Sequence, residues 1–208
     1  MKKVISILTV AVVMGTAAWA QDGFSLSAGG GGYLAGDLTG GVEMSGIEMT
    51  NTYFGGGPFV FFDAKYAEVS VGLLFGGGEV ELFGFAVDTT RTSLNISLLG
   101  KYPFALSDKL TLFPAVGIDY EVVLGAKFDG ETYQNEDGDD APGDFSALWI
   151  KAGAGLDVSL TEKLYFRGEA LLGFRLANKF EKDLADEDGV DTKLGIGPTV
   201  KLGVGYKF

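Results

Sequence analysis

The 208-residue sequence contains no cysteine and no histidine. Without cysteine there are no disulfides, zinc–thiolate or iron–sulfur sites, no cysteine nucleophile and no lipid-modified N-terminal cysteine. Without histidine the chain lacks the commonest general base and the commonest metal ligand. We therefore predict no catalytic residues, no cofactor and no enzymatic activity.

Basic residues are also scarce, with 16 Lys and Arg against 28 Asp and Glu, and the formal net charge is −12. A nucleic-acid partner requires clustered Lys and Arg against the phosphates. The charge balance argues against a protein that binds nucleic acid.

A long apolar run occurs only at the N-terminus of the sequence, before residue 21. Lys2 and Lys3 precede an almost uninterrupted apolar stretch over residues 4–14, and Ala18-Trp19-Ala20 forms an A-x-A cleavage site. This pattern predicts a cleavable secretory signal peptide over residues 1–20 and a mature domain over residues 21–208. The alternative, a membrane anchor, requires about 20 apolar residues, more than this stretch supplies.

Glycine is abundant, with 33 residues, and period-two alternation recurs along the mature chain, which indicates strands rather than helices. Long polar connections over 35–51, 77–90, 125–144 and 177–191 alternate with short turns. The prediction is an all-β fold, a closed antiparallel up-and-down transmembrane β-barrel of eight strands. Ten strands would result if 35–51 or 125–144 contained a hairpin. The predicted strands cover residues 24–34, 52–63, 66–76, 91–102, 109–124, 145–158, 163–176 and 192–208.

Side-chain volume decides which face of these strands points outward. In the last strand, apolar residues from Leu194 to Phe208 occupy one face, and Gly, Lys and Thr the other. An eight-stranded barrel encloses too little space for all the large apolar side chains, so we expect them to face lipid. Tyr33, Tyr53 and Trp149 are the candidates to fill space beside the glycine runs 29–32, 55–57 and 76–78. The alternative is a soluble lipocalin-like binder with an apolar cavity.

The C-terminus ends in Val204-Gly205-Tyr206-Lys207-Phe208. Together with the signal segment, the strands and the alternating loops, it resembles the small bacterial outer-membrane β-barrels of the OmpA-transmembrane, OmpX-like or OmpW-like kind. The resemblance implies an outer-membrane location with both termini periplasmic. It also implies partners in outer-membrane lipid and the barrel-assembly machinery, the latter recognising Val204, Tyr206 and Phe208. Lipid A acyltransferases and deacylases of this architecture rely on His with Ser, which this chain cannot provide.

Charged residues on the polar faces predict a network inside the barrel. Because buried charges require partners, we expect ion pairs that either plug the barrel or line a thin polar path. The plugged form is the favoured interpretation; a narrow porin-like channel for small solutes or ions is the alternative, and a proton-transfer or ligand site is a third. The predicted lumen residues are Glu68, Arg91, Lys101, Asp119, Glu121, Lys151, Asp157, Arg167, Glu169, Arg175 and Lys201.

The long loops carry many of the acids, especially residues 129–144 and 181–191. We expect mobile, solvated extracellular loops with a structural role or a role in contacting an external ligand or host molecule. A calcium site is a weaker hypothesis, since neither segment has EF-hand spacing. Its candidate ligands are Asp137, Asp139, Asp140, Asp186 and Asp188.

Overall fold

A computed structural model describes most of the chain beyond the expected signal peptide. The described residues are 25–44, 47–82, 85–134, 138–176, 178, 179, 181 and 190–208. Residues 1–20, for which the sequence predicts a signal, lie outside them. Among the described residues, no helix is long and apolar enough to cross a membrane.

Eight long antiparallel strands form a closed barrel, which confirms the predicted fold and strand count. The strands are β1 (Leu26–Met44), β2 (Ile47–Ala64), β3 (Ala67–Leu82), β4 (Phe85–Lys101), β5 (Phe104–Ser107), β6 (Leu110–Phe128), β7 (Glu131–Thr132), β8 (Ala147–Ser159), β9 (Leu164–Arg175), β10 (Val190–Lys193) and β11 (Gly195–Lys207). The ring runs in the order β1-β2-β3-β4-β6-β8-β9-β11 and closes where β11 pairs with β1. The short β5 continues β4, β10 precedes β11, and β7 forms a hairpin with β6. A single turn of 3-10 helix, Pro142–Phe145, precedes β8.

Two of the predicted long loops are wrong, because residues 35–51 and 77–90 lie mostly in strands. The β1–β2 ladder continues to the pair Met44↔Ile47, and the β3–β4 ladder to Leu82↔Phe85. Backbone pairing needs no apolar side chains, so glycines and polar residues extend the strands without the alternation that marks a lipid-facing segment. These extensions belong to strands already counted, so the number in the barrel stays at eight.

The faces of the strands divide as predicted between an apolar exterior and a charged interior. On β11, Val200, Leu202 and Val204 are 42%, 53% and 47% exposed, whereas Lys201 between them is 4% exposed. The same alternation holds along β6 and β9. An apolar outer wall around a narrow polar interior is the organisation of a transmembrane β-barrel rather than of a soluble calyx.

Aromatic side chains collect on the outer wall where the short turns lie, which we call the turn end; the opposite end is the loop end. The rings of Tyr66, Tyr102 and Phe104 contact one another in sequence, at centroid distances of 6.0 and 4.8 Å. Tyr206 and Phe208 contact at 5.7 Å on the same rim. Such a group is typical of an interfacial girdle.

Candidate functional site

The lumen is the candidate functional site, since the strands direct most of the charged side chains of the barrel wall into it. The structure places all eleven predicted residues there, and most are buried. It adds three acids that the sequence analysis did not assign to the lumen. The lumen acids are Asp37, Asp63, Glu68, Asp119, Glu121, Asp157, Glu169 and Glu181, and the bases are Arg91, Lys101, Lys151, Arg167, Arg175 and Lys201.

The turn-end cluster is centred on Arg167. Its guanidinium donates two hydrogen bonds of 2.7 Å to Asp157 and one of 2.6 Å to Glu68. Asp63 lies 2.6 Å from the same guanidinium and also pairs with Lys101. Because these residues come from β2, β3, β4, β8 and β9, the cluster ties opposite walls of the barrel together.

A second level lies around Lys201. Its ammonium donates to the Ser70 hydroxyl at 3.0 Å and lies 3.4 Å from both Glu68 and Glu169. Glu68 therefore connects this level to the turn-end cluster. Within the described part of the chain, neither carboxylate oxygen of Glu169 has a hydrogen-bond donor.

A third level, nearer the loop end, contains two acids of β6. Lys151 donates to Asp119 at 2.5 Å. Glu121 accepts hydrogen bonds from the Ser93 hydroxyl at 2.8 Å and from the indole N–H of Trp149 at 3.1 Å. Arg91 lies 3.7 Å from Glu121, beyond hydrogen-bond distance.

Arg175 lies at the loop end of the lumen. Its guanidinium makes a bidentate pair with Glu181, at 2.7 and 2.8 Å, and donates to Asp37 at 2.6 Å. Asn178 accepts from the Glu181 N–H and donates its own N–H to the Glu181 carboxylate. Two of the described residues after β9, Asn178 and Glu181, are therefore buried at this end of the lumen, and Glu181 adds an acid to it.

Aromatic rings line one side of the lumen, a feature that the sequence analysis did not predict. Tyr33, Tyr53, Phe59, Phe61 and Tyr165 are buried together with Leu74. The Arg167 guanidinium lies 4.9 Å from the ring centroids of Phe61 and Phe113, in cation–π geometry. The bases are thus held by ring faces as well as by carboxylates.

Glycines make room for several of these rings. A Cβ at Gly72 would lie 2.6 Å from Tyr33 Cε1, and one at Gly173 would lie 2.9 Å from Trp149 Cε3. Tyr53 stands beside Gly55 in the same way. The three bulky residues singled out in the sequence do lie against glycines, although Gly72 and Gly173 are outside the glycine runs.

Two cavities of about 10 Å³ each lie near Asn95, one beside Trp149 and one beside Tyr33. Such a volume holds about one water molecule. The Tyr33 hydroxyl and Asn95 Oδ1 are buried without a hydrogen-bond partner in the described residues, so each cavity has a polar group for a water to bind.

Asp63 and Asp37 were missed for two different reasons. Asp63 shares the inward face of β2 with Phe59 and Phe61. Because aromatic residues occupy both faces of this strand, its sequence shows no clear alternation of apolar and polar residues. The signal that identifies it is its separation of two and four residues along the strand from those rings. Asp37 lies in a segment that the sequence analysis assigned to a loop.

The acidic segment between β6 and β8 is partly folded. Asp129 and Gly130, both with positive φ, form a tight hairpin turn to β7. The rings of Phe128, Tyr133 and Phe145 then contact one another at centroid distances of 4.7 to 5.8 Å. Lys179 pairs with Asp144 at 3.0 Å and links this segment to the one after β9. The prediction of a wholly solvated, mobile loop does not fit this ordered part.

The calcium candidates are only partly visible. Asp137, Asp186 and Asp188 lie outside the described residues, and Asp140 accepts a hydrogen bond from Gln134 at 3.4 Å. Asp139 is also described and has an interaction partner. No group of three or more potential metal ligands occurs in the described portion.

The three C-terminal residues proposed as an assembly signal face outward. Val204 and Tyr206 lie on the apolar wall, and Phe208 is 74% exposed at the turn end. The Phe208 N–H donates to the Leu26 carbonyl at 3.0 Å, so the last residue still takes part in barrel closure.

No protein-family model and no curated protein matches the chain. Among solved structures, it is similar to the outer membrane protein OprG from Pseudomonas aeruginosa, with 14% identity, a TM-score of 0.49, and coverage of 88% of this chain and 95% of that one. It is similar to Neisserial surface protein A, with 10% identity, a TM-score of 0.46, and coverage of 89% and 97%. Ail of Yersinia pestis, in complex with the heparin analogue sucrose octasulfate, has 16% identity, a TM-score of 0.39, and coverage of 89% and 99%. The fold itself is established by the strand register of this chain.

Proposed function

We propose that this protein is a closed outer-membrane barrel that anchors acidic extracellular segments, with the turn end and both termini on the periplasmic side. The observation that carries the proposal is the set of ion pairs that crosses the lumen at successive levels, from Asp63 and Arg167 to Arg175 and Glu181. The role is structural or one of surface contact, and it includes no catalytic step.

Energetics favour a closed lumen over an open path. A solute passing through would have to separate buried pairs, and removing one partner of a buried pair costs about 3–5 kcal/mol. Arg167 and Arg175 are each 2% exposed and each bonded to more than one acid. A pathway would therefore need several such pairs to break together.

The loop end provides the surface for display. The β1–β2 and β3–β4 hairpins continue beyond the apolar wall, and Glu79, Glu81 and Asp88 are exposed on them. With the acids between β6 and β8, they present a negatively charged surface to the outside. Such a surface suits contact with a cationic external ligand or host molecule.

A second candidate function, a narrow channel, is favoured by the two small cavities. Water molecules bound to the Tyr33 hydroxyl and Asn95 Oδ1 would begin a polar path near the middle of the lumen. Small ions would then pass when the Arg175 and Arg167 clusters rearrange.

Single-channel conductance of the refolded mature protein in a planar bilayer distinguishes the two functions. We expect a silent bilayer from wild type and from the exposed-site control Lys109→Gln. Arg175→Gln and Arg167→Gln each remove a lumen cation, one at the loop end and one at the turn end. We expect brief openings from these two variants. Discrete openings of wild type that Arg167→Gln and Glu169→Gln alter would contradict the plug and support the channel. Folding is checked by a heat-dependent shift in gel mobility.

A further inference from the structure

The barrel loses its closure above the apolar wall, between β4 and β6. The β4–β6 ladder begins only at Thr89, whereas the β3–β4 ladder extends to Phe85 on the other side of the same strand. At Asp129 and Gly130 the chain turns away from β4 into β7. Within the described part of the chain, residues 85–88 therefore have a paired strand on one side only and form an edge.

Ala86 presents the free backbone groups of this edge. Successive residues of an antiparallel strand direct their N–H and C=O groups to alternate sides. The Asp88 carbonyl accepts a hydrogen bond of 2.8 Å from the Asp129 N–H, on the side away from β3. Ala86, two residues earlier, directs both of its groups to that same side, and no described residue bonds to them. Because Ala86 is also exposed, its N–H and C=O are open to a partner.

The two faces of this edge differ in polarity. Val80 and Val87 are directly opposed on the lumen side, and Phe85, on the same face of β4, is 75% exposed. On the outward face, Glu79 and Asp88 are directly opposed and exposed. Like charges in this position repel each other, so a cation beside them is favourable. An incoming strand would meet apolar side chains on one face and acids on the other.

From this arrangement we infer that the edge of β4 binds an extended segment of another protein by strand addition. The segment alternates apolar residues, which would contact Phe85 and Val87, with Lys or Arg, which would lie beside Asp88. The inference rests on the proposed display of this acidic surface outside the cell, and it gives that surface a partner. A second copy of this chain is a poor occupant, because pairing of two β4 edges would place the acids of both copies on one continuous face.

Fluorescence anisotropy of a labelled synthetic peptide tests the inference, with the full mature protein in nanodiscs of zwitterionic lipid and empty nanodiscs as the background. The probe is a peptide of alternating Val and Lys. Oligolysine carries the charge without the alternation, and the probe methylated on its backbone nitrogens carries both without the strand hydrogen bonds. We expect the unmodified probe to bind more tightly than either.

Ala86→Pro removes the edge N–H and leaves the β3–β4 ladder intact, since Pro is tolerated on edge strands. It should weaken binding of the probe about tenfold, the loss of one hydrogen bond. Ala86→Val keeps the N–H and should bind the probe as wild type does. Asp88→Lys should also weaken binding at least about tenfold, through like-charge repulsion. Asp108→Lys, the same change of charge at the exposed turn end, should leave binding unchanged.

The contrary results are distinct. Equal binding of the methylated probe, or unchanged affinity in folded Ala86→Pro, would refute strand addition. Dimers of wild type that Ala86→Pro abolishes would make a second copy the occupant. Each variant must first show the heat-dependent mobility shift, and if Ala86→Pro fails it, the methylated probe on wild type decides. Equal binding of oligolysine and the probe would reject this edge alone, whereas no binding of either would reject the proposed contact of the acidic surface with cations.

Discussion

Arg167 is the side chain on which the turn-end cluster depends. It neutralises Asp63, Glu68 and Asp157 from three different strands, and it is 2% exposed. Phe61 and Phe113 cover its guanidinium, so water cannot replace its hydrogen bonds. The cost of losing it is therefore the cost of leaving several acids buried with one fewer cation.

We predict that Arg167→Gln lowers the free energy of unfolding by about 3–5 kcal/mol, because breaking a buried pair leaves uncompensated charge. Urea unfolding in lipid vesicles, followed by gel mobility, measures the change. Lys163→Gln, an exposed site four residues earlier, should change stability by less than about 0.5 kcal/mol. Equal effects of the two substitutions would show that the cluster does not stabilise the barrel.

At the scale of residues, alternation along the strands predicted most of the side chains that face the lumen, but not all of them. Strands β6, β9 and β11 carry apolar residues at every second position, so the inward position of Glu121 or Lys201 follows from counting. On β2 the inward face carries Phe59 and Phe61 with Asp63. The inward and outward faces of this strand therefore do not differ clearly in polarity. Partner identity could not be predicted, because Arg167 and Glu68 are 99 residues apart and meet only once the barrel has closed.

At the scale of elements, the strands facing lipid were predictable and those beyond the apolar wall were not. In the wall, one face must be apolar, and the sequence shows it. Beyond it both faces meet water, and the only remaining requirement is backbone pairing, which glycine-rich and polar segments satisfy. The extension of β1 past Asp37 and of β3 past Gly77 therefore has no mark in the hydrophobic pattern.

The segment between β6 and β8 is an element whose order depends on three rings. Phe145 is buried against Val123 and Ala126, with Phe128 and Tyr133 packed around it. The chain around these rings is acidic and contains several glycines, so no other apolar contact within it would replace them. The aromatic cluster is what distinguishes this segment from a solvated loop.

We predict that Phe145→Ala makes residues 129–146 at least several-fold more sensitive to limited proteolysis and leaves the barrel intact. Truncating a buried Phe lowers stability by about 3–5 kcal/mol. Here the loss destabilises a local unit rather than the eight-stranded ring. Phe85→Ala, at a 75% exposed position on the β3–β4 hairpin, is the matched control. Rapid cleavage of wild type at the same sites would mean that the aromatic cluster does not order the segment.

For the whole molecule, the decisive property is orientation: which face of the wall meets lipid. The predicted answer depends on volume, since the narrow interior has no room for the outward leucines, valines and phenylalanines. The structure agrees, and it also places rings and ion pairs in the lumen, beside two cavities of about 10 Å³ each. Volume alone could not have predicted that some of the largest side chains, Tyr33, Trp149 and Phe113, would face inward against glycines.

Two adjacent residues give a direct test of orientation. Trp149 is 5% exposed and donates to Glu121 in the lumen, whereas Ile150 is 46% exposed on the outer wall. Cleavage of the expected signal leaves Trp149 as the only tryptophan, because the other in the sequence is Trp19. In vesicles with brominated acyl chains, we predict weak quenching of wild-type fluorescence and strong quenching of the double variant Trp149→Phe/Ile150→Trp. Both proteins should be quenched little in vesicles without bromine. Strong quenching of wild type with weak quenching of the double variant would place the Trp149 face against lipid and overturn the orientation. Weak quenching of both, with full solubility in buffer, would instead support the soluble calyx.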